Sequence, residues 1–202
     1  MKKFKVFHVL ILVGLFAMLV GSAASPFAVH SADTMSRFYS VAARDGWILE
    51  STETSGVGGT MNYTAAIIRV GDDAAKRQYR AILHFNTMGL PDNAVITGAW
   101  LWVKRHSATG DDPIDHSMFL VDSSLLPAGK FGPTIALELN DFKTPGVLAG
   151  YFAYFPQVDG IWYRATLQSG GISNINRTGT TQYRLRFELY DNNNLIADYF
   201  KL

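Results

Sequence analysis

Residues Ala43 to Asn62 and Arg69 to Trp100 read ARDGWILESTETSGVGGTMN and RVGDDAAKRQYRAILHFNTMGLPDNAVITGAW, short alternating runs cut by Gly, Asn and Asp. Period-2 alternation suits a strand and not an amphipathic helix, whose apolar positions recur every three or four residues. Gly, Asn and Asp at the breaks supply the turn conformations that other residues resist. Turn clusters recur at Gly56-Val57-Gly58-Gly59, Gly71-Asp72-Asp73, Leu90-Pro91-Asp92-Asn93, Thr109-Gly110-Asp111-Asp112-Pro113, Ser169-Gly170-Gly171 and Asp191-Asn192-Asn193-Asn194. Short strands with this punctuation predict an all-β chain, a sandwich or barrel.

Two strands can be read residue by residue. In Gln182–Leu189, Tyr183, Leu185, Phe187 and Leu189 share one face, and Gln182, Arg184, Arg186 and Glu188 the other. That pattern predicts one buried and one wet face. In Tyr79–Phe85 the apolar set is Tyr79, Ala81, Leu83 and Phe85, opposed by Arg80, Ile82 and His84. Helix is confined to about a turn at Ser123–Leu126 and another at Leu139–Lys143, the latter capped by Asn140 or Asp141. Solenoid periods and heptads are absent.

The N-terminus predicts export. Lys2, Lys3 and Lys5 precede an apolar run from Val6 to Val20, and small residues Gly21 to Ser25 follow. This is the layout of a signal peptide at residues 1–24, cut after Ala24. The run is short for a membrane span, which needs about 20 apolar residues, so the membrane enters only through the leader before cleavage. The chain has no cysteine, which excludes disulfides, thiolate metal sites, a cysteine nucleophile and a lipoprotein anchor. Residues 25–44 read as an N-terminal extension and 45–202 as one domain, large enough for its own core. The formal charge of +1 includes the three leader lysines. Without them 15 basic side chains face 17 acidic ones, a balance that does not suit a nucleic-acid binder.

Three stretches carry a family resemblance: DGWILESTETSGVGGTMN from Asp45, RVGDDAAKRQYRAILHFNTMGLPDNAVIT from Arg69, and TGTTQYRLRFELYDNNNLIADYFKL from Thr178. In this order and spacing the chain resembles the secreted bacterial DNRLRE-domain family, related to carbohydrate-binding module family 96. The resemblance spans residues 45–202. It implies a jelly-roll-type antiparallel β-sandwich, exported, of the kind commonly attached to polysaccharide-active enzymes or surface proteins. Here the module stands without a partner domain. Such domains usually run a few residues past the point equivalent to Leu202, which implies either a clipped last strand or a chain that continues further.

Trp100 and Trp102 are the sharpest binding candidates. Alternation over Thr97–Lys104 puts Ala99, Leu101 and Val103 on one face and Trp100, Trp102 and Lys104 on the other. The two indoles then lie about 7 Å apart along the strand. Sugar rings present C–H faces that pack on such flat π surfaces, and Trp binds at low entropic cost. The alternative is that a loop or second layer covers this face and both indoles are core. Arg184 and Arg186 share one face of a late strand and are candidates to grip uronate or sulfate groups bidentately. The alternative is a charge ladder with neighbouring strands.

Asp72, Asp73, Asp191, Asn192, Asn193, Asn194 and Asp198 lie in or beside loops. No cofactor is required by the sequence, but Asp72, Asp73, Asp191, Asn193 and Asp198 are candidate ligands for a structural Ca2+, which takes six to eight oxygens. The same residues are also favoured in turns. His106, Asp111, Asp112, Asp115 and His116 follow Trp102, in a spacing that matches no transition-metal pattern. A nucleophile elbow, a zinc-helix motif and a phosphate loop are all absent. Glu50 and Glu53 read as ordinary surface acids, and Asp45, Gly46, Trp47, Arg69 and Gly71 as keepers of strand and turn geometry. The sequence therefore predicts a secreted or cell-surface, non-catalytic module binding extracellular or cell-wall polysaccharide. The competing readings are an adhesive surface protein that self-associates and, further off, a polysaccharide lyase or hydrolase.

Overall fold

The computed structural model describes residues 8–14, 34–110, 118–125, 129–153 and 158–202, and in the first segment only the Val9 side chain. The strands are β1 His8–Gly14, β2 Thr34–Tyr39, β3 Gly46–Glu50, β4 Gly58–Asn62, β5 Arg69–Asp72, β6 Gln78–Asn86 and β7 Val95–Lys104. They continue with β8 Ser107–Thr109, β9 Phe119–Ser124, β10 Gly146–Phe152, β11 Trp162–Leu167, β12 Thr180–Phe187 and β13 Asp198–Lys201. Every pairing between them is antiparallel. They form one sheet in the order β2-β1-β7-β11-β10-β9-β12-β6-β5-β13-β8, with β3 joined to β6 and β4 to β3. The all-β expectation is met.

The sheet curls around one core. Leu101 and Val103 of β7, Ala165 of β11, Val121 of β9, Leu83 and Phe85 of β6 and Phe200 of β13 all belong to a single buried cluster. Phe119 is its hub, stacked on Phe152 at 4.6 Å and Phe187 at 5.2 Å and edge-on to Phe200 at 5.8 Å. One aromatic ring thus ties β9 to β10, β12 and β13. His8–Gly14 of the expected leader runs as β1 between β2 and β7, with Val9 in the core. The expected extension supplies β2. The last strand is paired on both sides, and Leu202 exchanges main-chain hydrogen bonds with Ile68.

The wet face expected opposite Tyr183 and Leu185 is not wet. Gln182 and Arg184 of β12 and Arg80 and His84 of β6 are buried. The cover is the segment 129–145, whose Phe131, Leu137 and Phe142 pack with Ile48 and Ile82 in a second, smaller cluster. Polar side chains hold this cover through its main chain. Gln182 accepts from Phe131 N and donates to the Ile135 carbonyl, and Arg80 donates to the Phe142 carbonyl. The short 3-10 helix Leu139–Phe142 starts at Glu138, not at Asn140 or Asp141, with Asp141 closing a capping box. Ser123 and Ser124 are strand, not helix, and Leu126 lies outside the described residues. A five-residue helix, α1 Ser169–Ser173, packs on β10.

Burial of His84 carries a pH signature. Desolvation, then the nearby Arg44 guanidinium, lowers its pKa to about 4. The unfolded imidazole takes up its proton near pH 6.5 and the folded one only near 4, so stability falls as pH drops through that window. Paired urea unfolding of wild type and His84→Asn will show wild type losing ground on acidification from pH 7 to 4. The loss should approach 1.4 kcal/mol per pH unit at most. Parallel pH profiles would contradict this assignment.

Candidate functional site

The outer face of β7, β11 and β10 collects aromatic side chains. Ala99, Leu101 and Val103 point into the core, so Trp100 and Trp102 stand on the opposite side, and both are part-exposed. In the pairing with β11, Arg164 lies across from Trp102, Thr166 from Trp100 and Trp162 from Lys104. Tyr151 of β10 lies across from Thr166. The Arg164 guanidinium hangs over the two indoles, 6.0 Å from the Trp100 ring centre and 5.7 Å from that of Trp102. Trp102, Tyr151, Trp162, Arg164, Thr166 and Gln168 line a cleft of about 560 Å3 on this face. Arg164 and Lys104 are exposed and have no carboxylate partner among the described residues. An aromatic floor with an uncommitted guanidinium above it can stack a ring and hydrogen-bond its substituents.

Trp162, Arg164, Tyr151 and Thr166 escaped the sequence reading. The signal was present, because WYRATL alternates Trp162, Arg164 and Thr166 against the core-facing Tyr163, Ala165 and Leu167.

Arg184 and Arg186 are not free to grip a ligand, which corrects the expectation for them. Both donate to Asp122. Arg184 Nε and Nη2 lie 3.1 and 2.9 Å from Oδ2, and Arg186 Nε 2.8 Å from the same oxygen. The remaining nitrogen of Arg184 donates to the carbonyls of Asp141, Phe142 and Thr144. Burial and the adjacent Arg184 and Arg186 pull the Arg80 guanidinium down to about 10, and burial also lowers Arg184. Arg184 and Arg80 fasten the 129–145 cover to the sheet.

The five candidate cation ligands separate. Asp73 is held by Arg77, at 2.6 and 2.9 Å, and by the main-chain N–H groups of Ala75 and Arg77. Asn193 Oδ1 accepts from Lys76. Both are thereby spent, which corrects their assignment as ligands. Asp72 and Asp198 face each other across β5 and β13 and are buried. Burial, then the charges of Asp198, Asp191 and Asp73, pushes Asp72 up to about 7. No three His, Asp or Glu side chains make a ready metal cage among the described residues. His106 is exposed, and Asp111, Asp112, Asp115 and His116 lie outside the described residues.

Other residues keep the geometry. Asp45 Oδ1 accepts from His84 N, and a Cβ on Gly46 would meet Asn62 O at 2.6 Å. The Arg69 guanidinium is ringed by Trp47, Tyr79 and Tyr199 at 5.0–5.6 Å. This second aromatic cluster is filled by the protein's own cation. Glu50 is buried, not a surface acid, and accepts from Gly56 N and Gln78 N. Glu53 pairs with Lys76.

The fold and this face define an antiparallel all-β protein with an aromatic, cation-bearing sheet surface. No family model matches the chain, and no curated protein matches it.

Proposed function

We propose that the chain is an exported, non-catalytic β-sandwich module of jelly-roll type, akin to the DNRLRE-domain proteins, that binds extracellular polysaccharide on the outer face of β7, β11 and β10. The observation that carries this reading is the part-exposed pair Trp100 and Trp102 beneath Arg164, beside Trp162 and Tyr151. Glycan rings stack on the indoles, and Arg164 with Lys104 favours carboxylated or sulfated units, because both cations lack a partner acid among the described residues. The protein acts outside the cell or on its surface, and nucleic acid is not a partner.

Affinity electrophoresis of the secreted protein against neutral and acidic polysaccharides tests this. Binding to an acidic polymer is expected to weaken with salt and to fall about 30-fold in Arg164→Gln, the effect of losing a contact of about 2 kcal/mol. Folded protein that binds none of the polymers would contradict the proposal.

The competing reading, self-association at a cell surface, is favoured by one observation. Among the described residues β2 ends the strand order, with Met35 and Tyr39 exposed, and an edge strand invites pairing with another strand. Concentration-dependent association without glycan binding would select it.

A further inference from the structure

We propose that Arg69, Lys201 and Ser107 form a binding site for a phosphate or sulfate group on the outer face of β5, β13 and β8. These strands stand at the other end of the strand order from β7 and β11, and the site does not rest on glycan binding there.

Strand register builds the site. Lys201 lies directly opposite Arg69 of β5 on one side and Ser107 of β8 on the other. Directly opposed residues share a face, with Cβ atoms about 5 Å apart. The alternate positions Val70, Phe200 and Ala108 pack into or against the core. Arg69, Lys201 and Ser107 therefore stand on the outer side, and each is part-exposed. One step along the strands, Tyr79, Gly71 and Tyr199 make the neighbouring row. Gly71 has no side chain, so the two tyrosine rings meet across it with centres 5.4 Å apart.

Those rings fix the cations. The Arg69 guanidinium lies 5.0 Å from the Tyr199 ring centre and 5.5 and 5.6 Å from those of Trp47 and Tyr79, and it donates to Tyr79 Oη at 3.3 Å. Lys201 Nζ is 5.5 Å from the same Tyr199 ring. Two positive charges thus converge on one aromatic side chain. Like charges set directly opposite each other destabilise a sheet. Neither Arg69 nor Lys201 makes an ion pair among the described residues, whereas the close arginines Arg184 and Arg186 share Asp122. Ring faces attract a cation but carry no net charge to offset it. An anion between the two cations supplies that charge.

The donors select the anion. A guanidinium offers a rigid fork of N–H groups, Lys a compact charge with three donors, and Ser a hydroxyl. A carboxylate has two oxygens, which one arginine fork satisfies by itself. A tetrahedral oxyanion points its oxygens in several directions and so answers donors arriving from three strands. A phosphate ester, with a charge of about −1.5 to −2 near pH 7, balances both cations.

The test is thermal unfolding of the full chain at constant ionic strength, with chloride replaced by inorganic phosphate or by sulfate. Wild type should gain Tm along a saturating curve, roughly 3–5 °C at ten times the Kd of the ion. Exclusion of these ions from protein surfaces also stabilises, but without saturation and equally in every variant. Lys201→Gln should lose the saturating gain. In chloride alone it should be no less stable than wild type, because the opposed charge is gone. Lys143→Gln, an exposed lysine of the 129–145 cover, should keep the gain. Dextran sulfate separates the two sources of the group. Binding at least tenfold tighter per sulfate than the free ion, and lost in Lys201→Gln, identifies a polymer-borne group, and equal affinity identifies the free ion. A wild-type curve with no saturating part in either ion would overturn the site, as would a Lys201→Gln variant that gains as wild type does.

Discussion

Asp122→Ala is expected to cost about 3–5 kcal/mol, the loss typical of breaking a buried ion pair from one side. Asp122 and Arg184 are 3 % and 5 % exposed, and Asp122 is the acid that both Arg184 and Arg186 reach. Removing it leaves the guanidiniums of Arg184 and Arg186 without their acid, with Arg184 and Arg80 both buried against the 129–145 cover. The attachment of Arg184 and Arg80 to the carbonyls of Asp141, Phe142 and Thr144 would then have to bear an uncompensated positive cluster. Asp122→Asn keeps one acceptor oxygen and should fall between wild type and alanine. Urea unfolding of the three proteins measures this, with the midpoint ordered wild type, Asn, Ala. A loss under about 1 kcal/mol for alanine would mean that the arginines behave as a solvated surface ladder.

Gly71→Ala is expected to be comparably severe, at least about 3 kcal/mol, because two penalties combine. Gly71 has φ +139, a region nearly closed to side chains, and a Cβ there would lie 2.1 Å from the Asp198 carbonyl and 2.6 Å from Tyr199 Cα. Those obstacles are backbone in the paired strand β13, which cannot swing aside as a side chain does. Gly56 is the control, with φ +63 and open space where its Cβ would stand. Its alanine variant carries only the left-handed penalty of about 1–2 kcal/mol. Thermal unfolding should lower Tm by roughly 6–12 °C for Gly71→Ala and by about one- to two-thirds of that for Gly56→Ala. Equal shifts would show that the β5–β13 contact is looser than it stands here.

Local pattern and tertiary context divide what the sequence could tell. Alternation identified the core-facing sets Tyr183-Leu185-Phe187 and Ala99-Leu101-Val103 correctly, because the inner face of a strand is set by side-chain polarity alone. It misjudged Arg184 and Gln182, because whether the other face meets water depends on a cover contributed some forty residues earlier in the chain. Asp122 drew no attention as one acid within FLVDSS, and its value comes from the register that sets Arg184 opposite it. Strand register also decides the cation candidates. Asp72 and Asp73 are neighbours in sequence, yet one faces Asp198 unpaired and the other is closed by Arg77. Trp100 and Trp102 were legible from their own strand. Arg164 above them needed the β7–β11 pairing, which no local pattern reports.

Equilibrium binding of the folded protein to an acidic polysaccharide, beside a Trp100→Ala/Trp102→Ala variant, tests the central proposal most directly. The variant should keep its strand signal in circular dichroism, since both indoles stand on the outer face of the sheet, and should lose binding. A folded double variant that binds as tightly as wild type would remove the aromatic face from the account.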